Sequence, residues 1–188
     1  MPRLMLVDDE INILSSLRRA LNAMPNGTFG GPLQVETFHS PAQALARAGE
    51  QAFDLVISDY RMPEMDGVEF LEKLREIQPN VARLILSGYA DLKALVAAIN
   101  RAEIFRFIAK PWDDHDLALS IRQALEHRHL ITENARLADL VRVQQGKLSR
   151  TELAMKQMEE KYPGITQIKR QADGSIDLDL DLDGDEIP

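Results

Sequence analysis

Between residues 3 and 128 the chain alternates short apolar runs with amphipathic stretches, and this alternation constrains the fold more than any other feature. The apolar runs are Leu4–Val7, Leu33–Phe38, Phe53–Ile57, Val81–Leu86 and Ile104–Ile108. Four of the five are apolar nearly throughout, and only Leu33–Phe38 alternates as a half-buried strand does. Helical spacing fills the intervals: residues 11–23, Pro41 to about Gly49, Met65–Ile77, Asp91–Arg101, and a segment starting near Asp113. Ser40-Pro41 supplies a cap followed by proline at the first helical position. Strands apolar on both faces must be covered on both faces, so the pattern predicts a parallel α/β sheet with helices above and below, built as five β–α units.

Composition narrows the class further. The chain has 188 residues, 45% of them hydrophobic and 28% charged, enough for one domain with an appendage and too apolar for general disorder. It has no cysteine, which excludes a disulfide scaffold, cysteine-ligated zinc and thiol catalysis. The four histidines, His39, His115, His127 and His129, show no metal-ligand spacing. No apolar run approaches membrane-spanning length, and the N-terminus lacks the basic region of a secretory signal, so a cytoplasmic protein with no membrane contact is expected. The net charge is −8, and seven acidic side chains fall within residues 173–188, leaving the body nearly neutral. A neutral body with an acidic tail argues against nucleic-acid binding.

Three carboxylates and one lysine stand where the predicted strands end. Asp8 and Asp9 follow the first strand, Asp59 the third and Lys110 the fifth. In open parallel sheets, ligands bind at the carboxyl ends of the strands where the strand order reverses. An all-oxygen cluster there suits a hard divalent cation such as Mg²⁺, because unneutralised carboxylates so close would repel and one would protonate. Each of these acids taken singly could be a helix cap; their joint placement on strand ends carries the argument.

With these residues in hand, the segment from about 3 to 128 resembles the receiver domain of two-component response regulators. The matching motifs are LVDDE at 6–10, LVISDYRMPEMDG at 55–67, LILSGY at 84–89 and FIAKPW at 107–112. The resemblance implies a flavodoxin-like sheet of order 2-1-3-4-5 and a phosphoacceptor at Asp59. It also implies Mg²⁺ held by Asp8, Asp9, Asp59 and the backbone carbonyl of Arg61. Ser87 and Lys110 would contact the phosphoryl group, and Phe107 would be the aromatic switch residue. The family often has a cis peptide bond before the proline that is Pro111 here. The implied partner is a histidine kinase or phosphotransfer protein, and the implied output is a changed protein–protein interface. Such a receiver catalyses only its own phosphotransfer and slow dephosphorylation. Two other readings stay open: a small Mg²⁺-dependent phosphatase-like enzyme, and an adaptor that keeps the fold without the chemistry. Arg61, two residues after Asp59, is no general acid near neutral pH and counts against the enzyme.

Beyond residue 128 the composition changes. Residues 129–162 carry no strand signal and read as one long helix. Heptad counting puts Leu130, Leu137, Gln144, Thr151 and Met158 on one seam position and Asn134, Val141, Leu148, Met155 and Tyr162 on the other. This predicts a parallel coiled coil joining two copies; the alternative is a helix that is solvent-bathed or folds back onto the sheet domain. Gly146 weakens the middle of such a helix by about 1 kcal/mol relative to alanine. Pro163-Gly164 ends it. The 163–188 tail contains a strict alternation of aliphatic residues and aspartate from Ile176 to Asp183, read as either a mobile acidic tail or a short strand. Its Asp-Leu-Asp-Leu-Asp-Gly run lacks the rest of a calcium loop. No phosphodiesterase, cyclase or helix-turn-helix signature follows the receiver. The chain is therefore expected either to act through protein contacts or to precede an output domain.

Overall fold

A computed structural model describes residues 1–25, 27–88 and 102–165. Five parallel strands, β1 (Arg3–Val7), β2 (Gln34–Phe38), β3 (Leu55–Asp59), β4 (Ala82–Gly88) and β5 (Arg106–Lys110), form one sheet of order β2-β1-β3-β4-β5. This is the predicted doubly wound arrangement. The central strand β3 is buried along its whole length, whereas the edge strands β2 and β5 are not, as apolar content alone would order them.

The helices cover both faces. α1 (Ile11–Ala23) buries Leu14, Leu17 and Leu21, one stripe at helical spacing, against Leu4, Leu6, Leu55, Ile57 and Leu84. On the opposite face, α2 (Pro41–Glu50) and α3 (Gly67–Ile77) pack Ala44, Ala48, Phe70, Leu71 and Leu74 against Met5, Val56 and Ile85. α3 begins two residues later than the apolar pattern suggests, because the Asp66 carboxylate accepts from the Val68 and Glu69 amides and sets the first turn. β3 likewise starts at Leu55: Phe53 gives its amide to the Gln78 side chain, and Asp54 turns its carboxylate to the Arg3 amide. Pairing for β5 starts at Arg106, with Ile104 buried in the approach to the strand. The predicted helix at Asp91–Arg101 and the tail from residue 166 lie outside the described residues.

α4 (Asp114–Gln144) opens on the Asp113 carboxylate, buries Leu117, Ile121 and Ala124 on the α1 side of the sheet, and continues past the domain. The expected single helix to residue 162 is not what forms. α4 ends at Gln144, and α5 (Arg150–Lys161) runs back along it. Gly146 adopts φ +69° and makes the reverse hydrogen bonds of a left-handed helix end: its amide donates to Val143, and that of Lys147 to Arg142. Ser149 and Glu152 then form a reciprocal capping box that starts α5. The hairpin is held by Lys156 Nζ at 2.6 Å from Asp139 and by Asn80, just before β4, at 3.4 Å from Glu160.

Candidate functional site

The reversal of strand order falls between β1 and β3, and the acids predicted from sequence stand there. Register brings the rest to the same edge: Asp59 lies opposite Leu86, Ser87 opposite Ala109, and Gly88 opposite Lys110. One oxygen from each of Asp8, Asp9 and Asp59 lies within 4.8 Å of the others. Lys110 enters the cluster directly, with Nζ 2.6 Å from Asp59 Oδ1 and 2.8 Å from Asp8 Oδ2. Asp8 is fully buried, Asp59 nearly so, and Asp9 is exposed at the mouth.

Short-range contacts fix these side chains. The Asp8 amide donates to the Phe38 carbonyl, tying the β1 end to β2, and Asp8 Oδ1 accepts from the Glu10 amide at 2.9 Å. Asp59 Oδ2 accepts from the Arg61 amide at 3.1 Å, while the Tyr60 amide donates to Leu86. Gly67 has no room for a side chain: a Cβ there would stand 2.0 Å from the Asp59 carbonyl oxygen. Its amide donates to the Tyr60 carbonyl at 2.8 Å, so the loop after Asp59 closes on the backbone of the candidate acceptor itself. The Asp66-Gly67 pair thus serves twice, as cap for α3 and as the close approach that holds the β3 end.

Burial pushes the Asp8 carboxyl above its ordinary range, against the opposing pull of Lys110 and the Glu10 amide. Burial disfavours the charged form of Lys110 too, but its hydrogen bonds to Asp59 and Asp8 outweigh this and hold the ammonium above its usual value. The lysine is therefore a fixed cation in an acidic pocket with more negative charge than it can neutralise.

The donor set fits a magnesium ion. Octahedral Mg²⁺ at 2.0–2.1 Å from its ligands places ligand oxygens roughly 3–4 Å apart, so oxygens within 4.8 Å reach that geometry by shifts of under about 1 Å. Among the described residues, no histidine joins an acidic cluster of this kind. Ser87 is buried at the end of β4, with Oγ 3.2 Å from the Gly88 carbonyl. Phe107 stands outside the acid cluster on the outer strand β5, 37% exposed. Trp112 packs against the α1-side core, and the Lys110–Pro111 peptide is cis.

Sequence reading missed the polar ties that position these elements. Arg83 is buried and donates to the Ala102, Pro79 and Val81 carbonyls, fixing the approach to β5. Arg128 on α4 reaches Asp54 at 2.6 Å. The only prior signal for either was a charged residue on an otherwise apolar face.

Comparison with known proteins agrees with this geometry. The family model "Response regulator receiver domain" matches residues 4–122. The hydrogenase transcriptional regulatory protein HoxA of Cupriavidus necator is 35% identical over 133 residues, covering 71% of this chain and 26% of its own. The transcriptional regulatory protein ZraR of Escherichia coli is 32% identical over 128 residues, 68% of this chain and 27% of its own. The chain thus spans about a quarter of the length of these curated relatives. A signal receiver domain of an HD domain-containing protein from Pseudomonas fluorescens superposes with TM-score 0.63 at 38% identity, covering 70% of this chain and 92% of that one. NtrX from Brucella abortus gives TM-score 0.64 at 27% identity over 85% of this chain and 33% of its own. Sheet order, the acid cluster at the switch point and a family match over more than half of the sequence agree: this chain belongs to the response regulator receiver domain family of two-component systems.

Proposed function

We propose that the chain is a phosphorylation-dependent switch that accepts a phosphoryl group on Asp59 from a histidine kinase or phosphotransfer protein. The observation that carries this is Lys110 Nζ bridging Asp59 and Asp8 at 2.6 and 2.8 Å. A positive charge at that place serves a phosphoryl oxygen as well as it serves a carboxylate. Asp8, Asp9 and Asp59, with the Arg61 carbonyl, would hold Mg²⁺, which when bound supplies charge neutralisation for the transferring group. Asp59 then attacks phosphorus in line as the bond to the donor breaks. The product carries more negative charge and new acceptor oxygens. Lys110 pairs with one of these oxygens, and the Ser87 hydroxyl turns from the Gly88 carbonyl to donate to another. Phe107, half-exposed on β5, is the residue through which this shift reaches the outer face of the sheet, as a change in population between two packings.

The partners follow from the same reading: a phosphodonor protein at the Asp59 end, and an output, on this chain or on another, at a face that the switch alters. The curated relatives named above are transcriptional regulators, so output through a further domain or a downstream protein is the reading they favour. We also assign a second copy of the chain to Leu130, Leu137, Val141, Met155 and Met158, because they keep heptad spacing and are exposed. Among the described residues no helix is long and apolar enough to cross a membrane, which fits a cytoplasmic placement. Incubation with a small-molecule phosphodonor and Mg²⁺ should add one base-labile phosphoryl group to the parent and none to Asp59→Asn. Sustained phosphate release from a simple ester, lost in Asp59→Asn, would instead favour the phosphatase reading.

A further inference from the structure

The α4–α5 hairpin leaves an apolar stripe in solvent. Leu130 is 62% exposed, Leu137 56%, Val141 48%, Met155 57% and Met158 55%. These five occupy the two seam positions of the heptad pattern, which runs on one count through both helices and across the turn between them. A pattern kept in phase through a turn has no use in the hairpin, where the two helices run in opposite directions and α5 buries none of its residues. It has a use only if residues 114–161 also form one helix. The turn is made of local devices: the left-handed Gly146 and the Ser149–Glu152 capping box. The side-chain ties that reach α5 are polar, Lys156 on Asp139 and Asn80 on Glu160, around a cavity of about 360 Å³ between the hairpin and the base of the sheet. A fully packed arm would leave no such space.

We infer that the hairpin is a latch. Folded back, it splits the seam at Gly146 and holds the chain as a monomer; swung out, the same residues align into one continuous stripe whose occupant is the stripe of a second copy. The two states exchange Asp139–Lys156 and Asn80–Glu160 for burial of Leu130, Leu137, Val141, Leu148, Met155 and Met158. The inference rests on the assignment of a second copy as partner, and it adds what controls that association.

Because the chain has no cysteine, introduced thiols report cleanly. Spin labels on His129→Cys and Lys161→Cys in the full chain, diluted into unlabelled protein, measure the latch: roughly 48 Å for one straight helix, under about 20 Å for packed antiparallel helices. Light scattering over a concentration series measures association. Gly146→Ala with Ser149→Ala removes both turn devices; the long distance should become dominant and the dimer dissociation constant should fall roughly tenfold or more. Asn80→Cys with Glu160→Cys, joined by a short bismaleimide, should stay monomeric at concentrations where the unjoined pair associates. If the joined chain dimerises as well as the unjoined one, the latch is wrong and the second-copy assignment stands. If the Gly146→Ala, Ser149→Ala chain opens without associating, that assignment is wrong and the latch falls with it. A short distance retained in that variant also overturns the latch.

Discussion

The two ends of this molecule are built on different physics. At the Asp59 end, Asp8, Asp9, Asp59, Ser87 and Lys110 sit at or just past the carboxyl ends of paired strands, and the ladder places them before any side-chain contact is made. At the opposite end, α5 buries no residue at all, and a turn, the Lys156–Asp139 ion pair and the Asn80–Glu160 hydrogen bond tie it down. The first region inherits its precision from the core, and a core substitution will be felt there. The second has few buried contacts, so on the latch inference single surface changes move it while leaving the sheet intact. If the chain is the switch proposed above, the two roles divide well between two such regions, the site rigid and the arm movable.

That contrast is broken most forcefully in the core. Phe70→Ala, which empties a fully buried position on α3, should cost about 3–5 kcal/mol of unfolding free energy, while Met155→Ala on α5 should stay within about 0.5 kcal/mol. Denaturant melts of both variants check this; comparable losses would show that the hairpin shares the core's cooperativity.

Lys110→Ala comes next. It leaves the buried Asp8 carboxylate facing Asp59 with no cation between them, and should cost about 3 kcal/mol at neutral pH without Mg²⁺. Millimolar Mg²⁺ should restore most of that loss in thermal melts, and should stabilise this variant more than the parent. Gly67→Ala should cost about 1–3 kcal/mol, because its Cβ would collide with the Asp59 backbone and not with a yielding side chain. It should also weaken Mg²⁺ binding, measured by calorimetry. Gly146→Ala, the matching change in the hairpin, should leave the ion affinity where it was.

The smallest effect is the most diagnostic, for acid acts on the two regions with opposite sign. The Asp8 carboxyl is held above its ordinary value of 3.8, chiefly by burial, so its contribution is fully present below 3.8 and is lost as pH rises through the raised value. Asp139 is held below 3.8, first by Lys156 and then by Arg142; its contribution is present above 3.8 and is lost as pH falls through the lowered value. Acidification towards 3.8 should therefore first restore the Asp8 contribution, and acidification below 3.8 should then weaken the hold of Asp139 on the hairpin. Amide exchange of α5 against that of the β1 and β3 segments, followed between pH 6 and 3, reads both at once; a parallel response of the two regions would remove the distinction.

The same division explains what the sequence made legible. Apolar runs bounded by breakers locate all five strands, and because strand ends carry the site, the sequence alone places Asp8, Asp9, Asp59 and Lys110, whereas Ser87 is legible only through the family resemblance. Boundaries slipped where a polar side chain, not the apolar pattern, decides: Asp66 delays α3, and Asp54 with Gln78 delays β3. Heptad counting reads the hairpin as one helix, because it weighs apolar positions and ignores local end signals. Gly146 and the Ser149-Arg-Thr-Glu152 capping box were both in plain sight, and together they stop one helix and start another. The Lys156–Asp139 contact, 17 residues apart, becomes visible only once that turn is known.

The proposed switch rests on one carboxylate, Asp59, being the acceptor. Exposure of the full chain to a phosphodonor with Mg²⁺, followed by borohydride, converts an aspartyl phosphate to homoserine, which peptide mass mapping locates. The proposed function predicts conversion at position 59 alone, dependent on Mg²⁺ and absent in Asp59→Asn. Conversion at Asp8 or Asp9, or none at all in a folded protein that binds Mg²⁺, would contradict it.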